Sequence, residues 1–265
     1  MVVSILLSFL IMFLGTRSGF LRPIPLSVFQ FLVLCTCLTG FHAVAHSSPS
    51  SGFHPGKPWP DADSVHINAH GGGILYHDNT YFWFGEHKSE RSSAALVGIT
   101  CYSSTDLVHW KNKGVVLSVS DDPLSDIVRG CVMERPKVVY NRSTGKFILY
   151  FHLELNGQGY SAARVGIAVS DRVTGPYTYL RSLRPNANHW PLNMTEAQRT
   201  SAIVPGDFSK WWTGDWRQAV SEGLFVRRDH TGGQMSRDMT LYVDDDGKGY
   251  HIYASEEISP FTWPN

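Results

Sequence analysis

His70-Gly-Gly-Gly-Ile-Leu-Tyr76, a turn at Asp78-Asn79, and Tyr81-Phe-Trp-Phe-Gly-Glu86 set out a pattern that the chain repeats twice more. The second copy runs Glu134-Arg-Pro-Lys-Val-Val-Tyr140 and then Phe147-Ile-Leu-Tyr-Phe151. The third runs Ser236-Arg-Asp-Met-Thr-Leu-Tyr242 and then Tyr250-His-Ile-Tyr253. In each, polar residues lead into a short apolar strand ending in Tyr, a turn follows, and an aromatic-rich strand returns. Tyr76, Tyr140 and Tyr242 fall in register, so the residues ahead of each strand hold equivalent places. A radial β-repeat brings such places together at its axis, and functional residues are to be sought there.

Strands are also predicted at Val97 to Tyr102 and Val165 to Val169, separated from their neighbours by Asp-Asn, Ser-Thr-Gly and Asp-Asp-Gly turns. The first two units share their second halves: Val97-Gly-Ile-Thr-Cys-Tyr-Ser-Ser-Thr-Asp-Leu-Val-His-Trp110 parallels Val165-Gly-Ile-Ala-Val-Ser-Asp-Arg-Val-Thr-Gly-Pro-Tyr177. A four-stranded unit of roughly 45 to 65 residues closing on an aromatic is the texture of a propeller blade, with a β-sandwich built of similar hairpins as the competing architecture. The third unit begins at Asp238 and stops soon after Tyr253. The chain therefore supplies about two and a half blades of the four to eight that a propeller needs.

Balanced charge, with 23 Lys and Arg against 23 Asp and Glu, gives no electrostatic footprint for nucleic acid. The 12 His and four Cys show no zinc-type spacing, so neither a metal nor another cofactor is expected. Residues 1–45 differ in kind: an apolar run from Val2 to Gly15, basic Arg17 and Arg22, then a second apolar run from about Ile24 to Ala45. With no Lys or Arg after Arg22 until Lys57, a signal-anchor would leave the N-terminus in the cytosol and the rest in the lumen. A cleaved signal peptide ending near Ala43-Val44-Ala45 is the alternative; both readings route the remainder into the secretory pathway. The sequons Asn141-Arg-Ser143 and Asn193-Met-Thr195 suit that route. Cys101 and Cys131 could pair there as a disulfide or stay as two buried thiols.

Residues 46–62, rich in Ser, Pro and Gly, read as a linker, and 63–257 as the folded domain. Within it, 186–234 is an insertion carrying Trp190, Trp211, Trp212 and Trp216, which either stack on sugar rings or bury one another. Residues 258–265 form a divergent tail.

Several words of the sequence, taken as an ordered set over residues 66 to 257, resemble glycoside hydrolase family 43. They are Ala69-His-Gly-Gly-Gly-Ile with Tyr81-Phe-Trp-Phe-Gly-Glu86, Cys101-Tyr-Ser-Ser-Thr-Asp-Leu-Val-His-Trp110, Glu134-Arg-Pro-Lys137, Gly175-Pro-Tyr-Thr-Tyr179, and Ser236-Arg-Asp-Met-Thr-Leu-Tyr-Val-Asp-Asp-Asp-Gly247. The similarity is to the branch of exo-β-1,3-galactanases and their plant Golgi relatives. It implies an all-β, five-bladed β-propeller that hydrolyses β-1,3-galactan or arabinogalactan with inversion; arabinan- or xylan-type side chains are the alternative substrates. It also implies a polysaccharide or glycoprotein glycan as partner, and a Golgi-membrane or secreted location.

Inverting hydrolysis needs an acid for the leaving oxygen, a base for water on the opposite face, and a carboxylate that orients the acid. By resemblance, Asp238 matches the orienting carboxylate and Glu134 an acidic residue of the catalytic pocket. Glu86, Tyr160 and His70 resemble substrate contacts. Where most of the family opens its first strand with a catalytic Asp, four residues before Tyr76, this chain has Gly72; the galactanase branch also lacks that Asp, which favours it over arabinanases and xylosidases. The family's general acid opens a fourth blade, so the acid and base are expected to be absent from this chain and hydrolysis to be weak. Noncatalytic carbohydrate binding, or an unstable fragment, are the alternatives.

Overall fold

In the computed structural model, strand β1 (His70–His77) pairs antiparallel with β2 (Thr80–Glu86), β2 with β3 (Gly98–Ser104), and β3 with β4 (Lys111–Ser118). The same four-stranded meander recurs as β5 (Val132–Asn141), β6 (Lys146–Glu154), β7 (Arg164–Ser170) and β8 (Thr178–Leu183). A hairpin of β9 (Met239–Val243) and β10 (Gly249–Tyr253) follows. The structure describes residues 52–89, 92–202, 212–255 and 261–263, all within the compact unit Pro49–Asn265. Two full blades and half of a third is the arrangement that the three Tyr-terminated repeats imply.

The opening strands of the three units lie side by side, β1 against β5 and β5 against β9, as in radial packing. Alternation along β1 divides its side chains between two faces. His77 packs on Tyr140 and Phe147 of the next blade at 4.8 and 4.9 Å, while Ile74 and Tyr76 are exposed on the opposite face. The core is the seam between the two blades. Phe84, Ile99, Cys101 and Val116 of the first meet Met133, Leu149, Phe151, Leu153 and Ala168 of the second, all essentially inaccessible. Phe84 lies edge-on to Tyr177, which precedes β8, at 6.2 Å.

A second cluster covers the far side of the first blade. Trp59 meets Trp83 and Trp110 with ring centroids 5.6 and 6.4 Å apart, and Phe53 lies edge-on to Trp59. The described part of the segment read as a linker thus places two aromatics on the blade.

Cys101 and Cys131, for which a disulfide and separate thiols stood open, are both free and fully buried. Burial pushes each thiol up to about 12, which keeps them protonated and unreactive. The apolar segment 1–45, Trp211, Glu256 and Glu257 lie outside the described residues, among which no helix is long and apolar enough to cross a membrane.

Candidate functional site

Both blade-opening strands begin with the same irregularity. The pairing of β1 with β2 slips between His70 and Gly73, and that of β5 with β6 between Glu134 and Lys137. Inside each slip one residue takes a left-handed conformation, Gly71 at φ 57° and Arg135 at φ 54°. Bulges of this kind re-aim neighbouring side chains and recur beside active sites. His70 and Glu134 stand just ahead of the two bulges in equivalent places. Their cross-strand partners are Glu86 and His152, so the histidine and the glutamate are exchanged between the blades.

Glu86, at the end of β2, is buried, with 2% of its side chain exposed. Its Oε1 accepts a hydrogen bond from Lys88 Nζ at 2.8 Å, and the same ammonium stands 3.5 Å from Glu134 Oε1. The exposed His70 places Nδ1 3.9 Å from Glu86 Oε2, an oxygen that is buried with no hydrogen-bond partner. Lys88 is held from its main chain: its N–H donates to Asn68 Oδ1 and its carbonyl accepts from Asn68 Nδ2, both at 2.8 Å. The Thr100 hydroxyl donates to the Asn68 carbonyl at 2.6 Å and braces that clamp. Among the site residues, Lys88 was missed from sequence, because a lysine two positions past a strand belongs to no motif.

Burial raises the Glu86 carboxyl from the ordinary 4.5 to about 7; Lys88 opposes the rise, Glu134 adds to it and Arg135 reduces it. A carboxyl whose folded value lies above its unfolded one binds more protons when folded. Its contribution to stability is complete below pH 4.5 and is lost as pH rises through about 7. Glu86→Gln is therefore expected to melt higher than the parent at pH 8 and to gain little at pH 4.5. Thermal denaturation of both proteins across that range checks this; an advantage that does not grow with pH would count against it.

Asp238 lies on the rim, with 71% of its side chain exposed, in an ion pair and hydrogen bond with Arg135. Tyr160, on the short 3₁₀ turn Gly159–Ala162, is 62% exposed, and the Arg237 guanidinium covers its ring at 4.4 Å. The sequence-selected residues therefore fall into two groups. His70, Glu86 and Glu134 meet around Lys88, whereas Tyr160 and Asp238 stand on the rim beside Arg237 and Arg135.

Gly72, the place of the family's first-strand carboxylate, is closed to any side chain. A Cβ there would come within 2.2 Å of the Phe84 carbonyl oxygen. The Lys137 ammonium reaches the carbonyls of Gly72, Arg135 and Pro136, each at 3.3 Å, and ties the two bulges together. Gly73 admits that side chain, since a Cβ at 73 would meet Lys137 Cδ at 2.4 Å. Burial, then the Arg135 charge, lowers the Lys137 ammonium below its ordinary value. Buried His152 ties the second blade to the third repeat, with Nδ1 at 2.8 Å from the Ser236 carbonyl and Nε2 at 3.1 Å from Glu154 Oε1.

Glu86, Lys88, Glu134, Arg135 and Asp238 thus form a run of alternating charge. A buried carboxylate with one free acceptor, beside a second carboxylate, is suited to receiving hydroxyl groups. It is not suited to inverting acid–base work, which requires two carboxyls about 6.5 to 9.5 Å apart with water between them rather than a shared ammonium. Among the described residues no cluster of three or more His, Cys, Asp and Glu could hold a metal ion.

The insertion contains α1 (Glu196–Thr200), α2 (Gly214–Ser221) and α3 (Leu224–Asp229). Its described tryptophans divide between burial and exposure. Trp216 is buried against Phe225 and lies 4.9 Å from Trp212, which is 65% exposed. Trp190 stacks on His230 at 3.7 Å.

Radial four-stranded sheets with carboxylates gathered where their opening strands meet define a β-propeller domain. Comparison with protein-family models found no match, and comparison with curated proteins found none. Solved structures do match. A family-43 β-1,3-galactosidase, determined with galactodeoxynojirimycin, is 55% identical with a TM-score of 0.72, over 76% of this chain and 58% of that one. An exo-β-1,3-galactanase from Clostridium thermocellum is 36% identical with a TM-score of 0.54, over 76% of this chain and 34% of its own. The Phanerochaete chrysosporium exo-β-1,3-galactanase, in a variant determined with β-1,3-galactotriose, is 30% identical with a TM-score of 0.53, over 76% and 35%.

The chain is similar to β-1,3-galactosidases and exo-β-1,3-galactanases of glycoside hydrolase family 43, whose members are five-bladed β-propellers. It spans 58% of the length of the first of these structures and about a third of the other two.

Proposed function

We propose that this domain is of glycosidase type and holds the terminal galactose of β-1,3-galactan or arabinogalactan chains between Glu86 and Glu134, with Tyr160 and Asp238 at the rim. The observation that carries the reading is the buried Glu86 carboxylate. One oxygen is fixed by Lys88 and the other has no protein donor, at the point where two blades converge. Family-43 structures determined with a galactose-like iminosugar and with β-1,3-galactotriose support galactose as the sugar. Asp238 is assigned to orient a general acid, which no described residue supplies. Binding without appreciable hydrolysis is the behaviour expected of the described residues.

The test is the full chain incubated with β-1,3-galactan, with released galactose measured alongside calorimetry on β-1,3-galactobiose. Binding with negligible release is expected. Sustained, stoichiometrically catalytic release would overturn the assignment of roles, and absence of binding would overturn the sugar site. The exposed Trp212 favours a second reading, carbohydrate binding by the insertion without catalysis. Loss of galactobiose binding on replacing Trp211 and Trp212 with Ala, but not on Glu134→Gln, would select it.

For location we propose the lumen of the secretory pathway, with the domain tethered to the Golgi membrane by residues 1–45. The two apolar runs, the placement of Arg17 and Arg22, and the two sequons support this. Protease protection of the domain in intact microsomes tests it; digestion before the membrane is opened would refute it.

A further inference from the structure

We infer that Lys88 is the positioning residue of this site, setting the Glu86 and Glu134 carboxylates, which come from two different blades, at one fixed separation toward a common ligand. The inference rests on the sugar-holding role proposed above for these two carboxylates. It stands on three features of geometry.

The first is the sharing of one ammonium. Lys88 Nζ reaches Glu86 Oε1 at 2.8 Å and Glu134 Oε1 at 3.5 Å, so the carboxylates are joined through a single compact cation. An ammonium carries three N–H donors, which suits it to bridging two acceptors. The second is the rigidity of its support. Lys88 sits past the end of β2, where a long side chain would ordinarily wander, yet Asn68 grips its main chain on both sides and Thr100 holds Asn68. The third is the oxygen left over. With Oε1 engaged by the lysine, buried Oε2 is left with no hydrogen-bond partner.

The groups facing Glu86 are His70 from β1, Lys88 beyond its own strand, and Glu134 and Arg135 from β5. Without Lys88, two like-charged carboxylates would oppose each other across a largely buried gap. Glu86 would then hold its proton to higher pH. A protonated Glu86 offers a weaker acceptor to a sugar hydroxyl than a carboxylate does. Lys88 therefore governs both where the carboxylates stand and the pH range over which Glu86 is charged.

The experiment uses the full chain with its glutamates labelled at the side-chain carboxyl carbon, titrated by NMR, together with calorimetry on β-1,3-galactobiose. In the parent, the Glu86 signal is expected to titrate at about 7. In Lys88→Met it is expected to move to higher pH, and affinity at pH 7 to fall about tenfold, recovering as pH is raised. Lys88→Arg keeps the charge and is expected to hold the titration near the parent's, with part of the affinity restored. Asn68→Ala, which loosens the clamp without removing charge, should shift both readouts in the direction of Lys88→Met and covers the case in which that variant fails to fold. A Lys88→Met protein that melts lower but keeps the parent's Glu86 titration and affinity would reduce Lys88 to packing and overturn the inference. If the parent binds no galactobiose while the titration still follows Lys88, the positioning holds and the sugar reading falls.

Discussion

Gly72→Asp is expected to destabilise the domain severely and to gain no hydrolytic base. A Cβ at position 72 would lie 2.2 Å from the Phe84 carbonyl oxygen and 2.5 Å from Trp83 Nε1, well inside van der Waals contact. The first of these is backbone, so relief requires β1 to part from β2 beside the bulge that places His70. Overpacking a core commonly costs about 1 to 3 kcal/mol, and a clash with backbone places this substitution at or above the upper figure. In a domain of this size that corresponds to a fall in melting temperature of about 6 to 12 °C. Gly73→Ala makes a useful contrast, because the nearest atom in its way is Lys137 Cδ at 2.4 Å, on a flexible side chain, and the nearest backbone atom, the Pro136 carbonyl oxygen, is 3.1 Å away. Thermal melts and a galactan assay on both variants check the argument. A Gly72→Asp protein as stable as the parent, or one that begins to release galactose, would defeat it.

Glu134→Ala is expected to weaken galactobiose binding about 100-fold, about 2.7 kcal/mol, through loss of charge-assisted hydrogen bonds. The side chain is 26% exposed just ahead of the bulge of β5, and its removal leaves the Lys88 ammonium its shorter contact with Glu86. The loss should therefore appear in affinity with only a small change in melting temperature. Calorimetry on folded variant protein measures it. A change of less than about threefold, roughly 0.6 kcal/mol, would move the sugar away from the blade junction and toward the insertion.

Much of the fold is legible in the chain because its signals are local. Alternation in Ile74 to His77 sends His77 to the seam and Ile74 and Tyr76 to the open face, a consequence of the strand's two-residue period. The turn at Asp78 and Asn79, both at positive φ, is where residues of that type are expected. Strand lengths were less legible. β5 begins at Val132 rather than Val138, because a bulge carries the ladder through Arg135 and Pro136, where the residues themselves argue for a break. The site divides in the same way. Glu134 could be selected by its place in the repeat and Glu86 by the resemblance, but their junction through Lys88 could not.

The sequence by itself determined the repeat, the register of Tyr76, Tyr140 and Tyr242, the all-β character and the likeness to family 43, since each depends on residues near one another in the chain or on an ordered set of words. Only the tertiary structure decided that Glu86 is a buried acid raised to about 7, that Gly72 is walled off by the Phe84 carbonyl, and that Arg135 holds Asp238 at the rim. Burial, clash and ion pairing depend on which segments distant in sequence become neighbours. Gly72 meets Phe84 within the β1–β2 hairpin, whereas Glu86 meets Glu134, and Arg135 meets Asp238, only when β1, β5 and β9 are laid side by side.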